Sequence, residues 1–163
     1  MLKVFVAVSI LAFSTPGAVA QASDRLERCI QARQSENAAL HTEDWAGLVG
    51  MVQKRLAACP FMNSPKDISS ANFLIGFALL QSERSQESIK WFEGAISQYY
   101  ADPQYHAQLA LAYKNVGRAG DAITSHRRSL VLSRMILESK NDNLYTDTDR
   151  YVATTILKNA GNF

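Results

Sequence analysis

The chain has 163 residues, of which 47% are hydrophobic, and its 17 basic and 15 acidic side chains give a net charge of +2. A charge this close to neutral argues against the strongly basic surfaces that bind nucleic acids or anionic membranes. The length is sufficient for one domain with a buried core.

The first twenty residues predict a cleaved export signal. Lys3 is followed by a mostly apolar run over residues 4–13, and the small residues 18–20 form a cleavage site. The apolar run is shorter than the roughly 20 residues that span a bilayer. A short leader of this type is typical of bacterial exported proteins. We therefore expect cleavage near Ala20 and a periplasmic or secreted mature chain, residues 21–163, that does not insert into a membrane.

The two cysteines, Cys29 and Cys59, both lie in the N-terminal third of the chain. An exported protein meets an oxidising compartment, which favours a structural disulfide between them. Closing a loop of roughly 31 residues would stabilise the fold by about 3–4 kcal/mol in the chain-entropy description. The alternatives are two buried free thiols or a redox pair, and the absence of a Cys-x-x-Cys motif speaks against the latter.

Nearly all of the mature chain is predicted as helix, and no segment is predicted as strand. The clearest helical pattern begins at Trp45, after Asp44 as a candidate N-cap, and continues through Leu48, Val52 and Leu56 on one face. The predicted helices cover residues 24–40, 45–59, 69–80, 86–100, 104–116, 121–139 and about 146–161.

Polar residues and prolines mark the expected helix ends. Pro60 and the turn at residues 63–65 are predicted to end the second helix, and Ser69 or Ser70 to cap the third. Residues 146–148 can cap a last amphipathic helix. Its inward-facing residues are predicted to be Tyr151, Val152, Thr155 and Ile156.

Residues 71–100 and 105–134 form an internal sequence repeat with an offset of 34 positions. Ile75 recurs as Leu109 and Gly76 as Ala110. A fixed period of this length indicates stacked supersecondary units. Such arrays usually present a binding surface rather than a reaction centre.

The repeated unit resembles the tetratricopeptide repeat (TPR), whose first helix reads Trp-x-x-Leu-Gly-x-x-Tyr and whose second reads Ala-x-x-x-Phe-x-x-Ala. The resemblance implies an all-α fold, a short right-handed α-solenoid of helix hairpins with a C-terminal capping helix. It divides the single domain into a degenerate repeat (29–62), two clearer repeats (69–102 and 103–136) and the cap (143–160). The matching residues are Asn72, Ile75, Gly76, Leu79, Ser88, Phe92 and Ala95, then His106, Leu109, Ala110, Tyr113, Ala122, His126 and Ser129, whereas Ala32, Ser35, Glu36 and Ala39 match poorly.

In this family the first helix of each repeat lines the concave face, so the resemblance also implies a binding surface. Its apolar strip is expected to hold a partner helix or extended segment, or to be filled by the protein's own first helix. The family's carboxylate-clamp mode is not supported, because only two of the implied residues suit it, Lys114 and Asn115. The full implied set is Phe73, Phe77, Leu80, Gln81, Ala107, Leu111, Lys114 and Asn115.

No motif in the sequence indicates an enzyme. There is no His-Glu-x-x-His, no Gly-x-Ser-x-Gly and no phosphate-binding glycine loop, so we predict no catalytic residues and no cofactor. His41, Glu43 and Asp44 are adjacent but fall on a turn where they do not converge, and we predict no metal site. His106 and His126 stand at packing positions and are expected to fill the core.

The most direct interpretation is a non-catalytic periplasmic adaptor that docks another envelope protein or a peptide segment on its concave face. The alternative is a self-associating structural subunit of an envelope assembly, a homo-oligomer held by an exposed apolar repeat edge. A small envelope hydrolase or redox factor would need a perturbed ionisable pair in a cleft, which the spacing does not offer.

Overall fold

The computed structural model describes residues 16–141 and 143–162, which form seven α-helices, two short 3-10 turns and no strand. Most of the predicted leader lies outside these residues, but Pro16 begins the first helix, so the predicted cleavage after Ala20 would fall inside that helix. The helices are α1 (Pro16–His41), α2 (Trp45–Ala58), α3 (Pro65–Gln81), α4 (Ser85–Gln98), α5 (Pro103–Asn115), α6 (Ala119–Glu138) and α7 (Asp147–Lys158).

Neighbouring helices pack in the order of the chain. The pairs α1–α2, α3–α4 and α5–α6 form three hairpins, and each hairpin packs on the next through α2–α3 and α4–α5. Helix α7 packs on α6 and also contacts α5. The predicted all-α solenoid is therefore confirmed. Within the described residues, no helix combines the length and apolar character needed to cross a membrane.

The three hairpin turns share one backbone geometry. Glu43, Glu83 and Gly117 each have a positive φ, of 53°, 61° and 77° respectively. In every turn the next amide donates at 2.9 Å to the carbonyl five residues earlier, as from Arg84 to Leu79. Glycine adopts this region without steric cost, whereas two of the three turns place a glutamate there.

The start of α3 differs from the prediction. Ser64 caps the helix, Pro65 follows at its first position, and Asp67 completes a capping box by bonding back to Ser64. A proline is well tolerated there because its missing N–H would have had no partner inside the helix. The prediction of a cap at Ser69 or Ser70 is wrong. Ser69 is buried, and its hydroxyl donates to the carbonyl of Ala95 at 2.8 Å, which ties α3 to α4.

The second hairpin depends on a close helix approach at Gly76. A Cβ added there would lie 2.9 Å from Cδ1 and Cε1 of the fully buried Phe92 ring. Hydrophobic cores extend on both sides of this contact. One joins α1, α2 and α3 through Ala39, Leu48, Val52, Ala71, Ile75, Ala78 and Leu79, and the other joins α3 to α6 through Leu80, Ile89, Phe92, Leu109, Ala112, Tyr113 and Ala122.

The first hairpin is held by different chemistry. Counted back from the turn residues Glu43 and Glu83, Glu36 on α1 stands where α3 has Gly76. Nε of Arg55 on α2 lies 2.6 Å from Oε2 of Glu36. Both side chains are about nine-tenths buried. A disulfide joins Cys29 and Cys59, each 1% exposed, so the predicted pairing is present. An ion pair and a covalent link thus join α1 to α2 and its C-terminal end in the first hairpin.

Candidate docking site between helices α5 and α7

A recess in the described part of the chain lies between α5 and α7, and we call it the α5–α7 groove. Its volume is about 520 Å³, and α6 contributes His126 to its lining. None of its lining residues is an aspartate, glutamate, lysine or arginine. The lining consists of Gln104, Ala107, Gln108, Leu111, His126, Tyr151, Val152, Thr155, Ile156 and Asn159.

Helical spacing places the apolar side chains in this groove. Ala107 and Leu111 are one turn apart on α5, and Val152 and Ile156 are one turn apart on α7. Leu111 is 38% exposed and Tyr151 is 73% exposed, so both sides of the groove present apolar surface to a ligand. Helix α7 is positioned by a capping box at Thr146 and by its packing on α6.

The groove lining includes the buried side-chain oxygen of Gln108. Oε1 of Gln108 is buried and accepts no hydrogen bond from any of the described residues. An unpaired buried acceptor costs about 1–3 kcal/mol. Because this oxygen is buried, the cost lies within the packed groove wall rather than at the surface that a ligand meets.

The aromatic residues implied for the second repeat do not form an open strip. Phe73 stacks on Tyr105, with ring centroids 4.8 Å apart, and Phe77 meets Trp45 edge-on at 5.4 Å. Both phenylalanines are half-buried. Leu80 is 6% exposed and belongs to the core, which corrects the expectation that it lines the groove. Phe73 thus links α3 to α5, and Phe77 links α3 to α2 of the preceding hairpin.

The remaining implied residues are divided between the groove and the helix ends. Ala107 and Leu111 lie in the α5–α7 groove. Gln81 and Lys114 are exposed near the C-terminal ends of α3 and α5. Nδ2 of Asn115 donates to the hydroxyl of Ser85 at 3.1 Å and so connects α5 to the start of α4.

The contribution of α7 to the groove was missed in the sequence. Tyr151 and Thr155 were expected to face inward but are exposed, whereas Ala153 is the fully buried residue of this helix. The signal that could have shown this is the pairing of Tyr151 with Thr155 and of Val152 with Ile156, each one turn apart. This spacing places the two pairs on neighbouring positions of α7, and the packing of α7 on α6 and α5 decides that they border the groove.

The described part of the first helix does not occupy this groove. Helix α1 packs along α2, at the opposite end of the stack, and none of its residues lines the recess. The exposed residues Leu26 and Ile30 lie on α1 far from α5 and α7 in the stacking order. The groove is therefore open to a ligand from outside the described chain.

Two titratable side chains near the core, Tyr113 and His106, are buried and hydrogen-bonded within the fold, which shifts their pKa values. Burial and a hydrogen bond to Glu93 raise the pKa of Tyr113 to about 12, and the tyrosine hydroxyl donates to Oε1 of Glu93 at 2.6 Å. Burial lowers the pKa of His106, whose Nε2 is 3.0 Å from the carbonyl of Tyr100. Among the described residues, no three His, Cys, Asp or Glu side chains form a group that could hold a metal ion.

Comparison with known proteins identifies the fold through structure alone. No protein-family model and no curated sequence matches the chain significantly. The TPR2B domain of yeast Sti1, solved in a complex with pHsp70, is similar with a TM-score of 0.59 and 12% identity over 83% of this chain and 98% of that one. The CopN–Scc3 complex matches with a TM-score of 0.59 and 16% identity, over 94% of this chain and 80% of that one.

A MamA structure is also similar, with a TM-score of 0.56 and 20% identity over 72% of this chain. The match covers 63% of the MamA chain, so this protein spans less than two thirds of that neighbour. The repeated hairpins, the shared turn geometry and these structural matches agree: the chain has the fold of tetratricopeptide-repeat domains.

Proposed function

We propose that this protein is a non-catalytic adaptor that binds an uncharged, apolar segment of another protein in the α5–α7 groove. The observation that carries the proposal is the composition of the groove, which has apolar walls from two helices and no charged side chain. Burial of an apolar segment against Leu111, Val152 and Ile156 would supply the binding free energy.

The structural neighbours support binding of a protein over binding of a small molecule. Two of the matches are to chains solved in complexes, CopN–Scc3 and Sti1 TPR2B with pHsp70. A charged ligand terminus is disfavoured in the present groove, because no lysine or arginine lines it. The ligand that fits is therefore an internal stretch of chain with apolar side chains.

We further propose that the protein acts in the periplasm after cleavage near Ala20. The proposal rests on the leader-like residues 1–20 and on the disulfide, which persists best in an oxidising compartment. N-terminal sequencing of the protein from a periplasmic fraction should give Gln21 as the first residue. Retention of the leader, or recovery of the protein only from the cytoplasm, would contradict this part of the proposal.

Site-specific photocrosslinking tests the docking groove. Benzoylphenylalanine would replace Tyr151 in the groove or, as a matched control, Ile123, which is 49% exposed on α6 outside the groove. We expect an adduct with one partner peptide from position 151 and none from position 123. Mass spectrometry should show that the linked peptide is apolar and uncharged.

A substitution in the opposite wall makes the test specific. Leu111→Glu should abolish the adduct from position 151 while leaving the far-UV circular dichroism unchanged, because Leu111 is exposed and its helix tolerates glutamate. Equal adducts from positions 151 and 123, or an adduct that Leu111→Glu does not affect, would refute the groove as the docking site.

A further inference from the structure

A second recess lies on α6, where the chain between α4 and α5 passes beside it, and we call it the α6 groove. Its volume is about 460 Å³, and it shares no residue with the α5–α7 groove. Its lining residues are Tyr100, Ala101, Arg127, Arg128, Val131, Leu132 and Met135.

The α6 groove presents an unusual amount of apolar surface. Tyr100, Val131 and Met135 are 54%, 54% and 55% exposed, although all three are large apolar side chains. Val131 and Met135 are one turn apart on α6, so they lie on the same side of the helix. Contiguous exposed apolar surface of this kind marks interaction sites in soluble proteins. The flexible side chain of methionine adapts readily to different partners.

Two arginines border this apolar surface without internal counter-charges. Among the described residues, neither Arg127 nor Arg128 forms an ion pair within 4.0 Å. The carboxylates of the adjoining recess, Glu93 and Asp121, are already engaged. Glu93 accepts the hydrogen bond from a tyrosine hydroxyl, and Asp121 pairs with Arg118 at 2.7 Å. The α6 groove therefore carries a net positive charge.

The repeat period shows that the fold does not require exposed apolar side chains next to arginines at these positions. At the corresponding positions 34 residues earlier, the chain has Glu93 in place of Arg127 and Gly94 in place of Arg128. Ser97 corresponds to Val131 in the same way. Packing positions keep small or apolar residues in both repeats, whereas these surface positions change in both charge and polarity.

The apolar wall is held in place before any partner binds. The ring of Tyr100 meets His106 edge-on, with centroids 5.0 Å apart, and Nε2 of His106 donates to the carbonyl of Tyr100 at 3.0 Å. His106 is 1% exposed, so this contact is anchored in the core. A wall fixed in this way reduces the entropy lost on binding.

We propose that the α6 groove binds an acidic amphipathic segment of another protein. The apolar face of the segment packs on Tyr100, Val131 and Met135, and its carboxylates pair with Arg127 and Arg128. Arginine forks bind carboxylates with two parallel hydrogen bonds, which adds specificity to the apolar contact. A neutral segment would cover the arginines without satisfying them, at a cost in desolvation.

A membrane surface is a poorer fit to the same residues. Two basic side chains contribute only about 1 kcal/mol each at an anionic bilayer. The apolar residues also line a recess rather than a projecting face that could enter lipid. The proposal goes beyond the proposed function, because it adds a second binding surface that does not share residues with the α5–α7 groove.

The test uses the mature chain, residues 21–163, and a synthetic amphipathic helical peptide of about 15 residues. The peptide has leucines on one face and glutamates on the other, and a control peptide has lysines in place of the glutamates. By fluorescence anisotropy at low salt we expect binding of the glutamate peptide alone. The combined change R127E and R128E should weaken this binding by about tenfold or more, whereas R134E, an exposed charge reversal on the same helix outside the groove, should have little effect.

Methyl NMR spectra identify the site of binding. The glutamate peptide should shift the methyl signals of Val131 and Met135 and leave those of Val152 and Ile156 in the α5–α7 groove unchanged. Equal binding of both peptides, binding unaffected by R127E and R128E, or shifts confined to Val152 and Ile156 would overturn the proposal.

Two further results would assign the groove to another occupant and also overturn the proposal. One is binding to phosphatidylglycerol vesicles, but not to the peptide, that is lost in R127E and R128E. The other is a dimer in sedimentation that dissociates on Met135→Asp, which would place a second copy of the chain in the groove. Neither result would bear on photocrosslinking at position 151, so the two surfaces can fail separately.

Discussion

Replacing Gly76 with alanine tests the close contact between α3 and α4. The added Cβ would lie 2.9 Å from two ring carbons of Phe92 and 3.2 Å from a third. Real side chains do not approach this closely, so either the ring or the helix must move. Phe92 is fully buried and packs against Phe73, with centroids 5.8 Å apart, which leaves the ring little room.

Two opposing effects determine how much Gly76→Ala changes the free energy of unfolding. Overpacking a close-packed core by one methyl group costs about 1–3 kcal/mol. Alanine is favoured over glycine inside a helix by up to about 1 kcal/mol. We therefore expect Gly76→Ala to lower the free energy of unfolding by about 1–2 kcal/mol, measured by urea denaturation and circular dichroism.

Gly50→Ala is the matched control. Gly50 is exposed in α2, and a Cβ there would have no atom within 4 Å, so only the helix preference remains. This variant should gain about 0.5–1 kcal/mol of stability. Combining Gly76→Ala with Phe92→Leu should cost less than the sum of the two single changes, since the blocking ring is gone. Equal effects of Gly76→Ala and Gly50→Ala would refute the close contact.

Two other features give predictions of defined sign. Glu83→Gly should raise the free energy of unfolding by about 0.5–1 kcal/mol because φ is 61° there, whereas Gly117→Ala, at φ 77°, should lower it by a similar amount. Thermal melting checks both changes, and shifts of the same sign would contradict the turn geometry. Burial lowers the pKa of His106, and the nearby Arg128 lowers it further, so the folded state binds fewer protons than the unfolded state below the usual pKa of 6.5. Stability should therefore fall as the pH drops from 7 through the folded-state pKa. His106→Gln should weaken this pH dependence in urea denaturation, and an unchanged pH dependence would exclude His106 as its source.

Much of the fold was predictable because it is encoded in short-range patterns. The 34-residue period, with Ile75 recurring as Leu109, predicted stacked hairpins, and the structure has them. The pairing of Cys29 with Cys59 was expected if the chain is exported, and the disulfide is present. The start of α3 was placed wrongly because Pro65 was taken as a helix stop, although proline is also favoured at the first position of a helix.

The candidate site was predictable only in part. Ala107 and Leu111 follow from the repeat pattern of α5, and both lie in the groove. The α7 residues of the opposite wall could not be predicted from the repeat pattern, because α7 lies outside the repeated region. Which side of α7 is exposed depends on how the helix packs against α5 and α6. Leu80 was assigned to the surface since the family pattern does not show which apolar side chains the neighbouring hairpin covers.

The sequence alone determined the class of structure, because helix formation and hairpin turns depend on residues close together along the chain. Tertiary structure decided which apolar side chains remain exposed. Phe73 and Phe77 are engaged by Tyr105 and Trp45, whereas Leu111 retains surface facing α7. Exposure depends on packing between helices that are distant in sequence, and such packing leaves no local pattern to read.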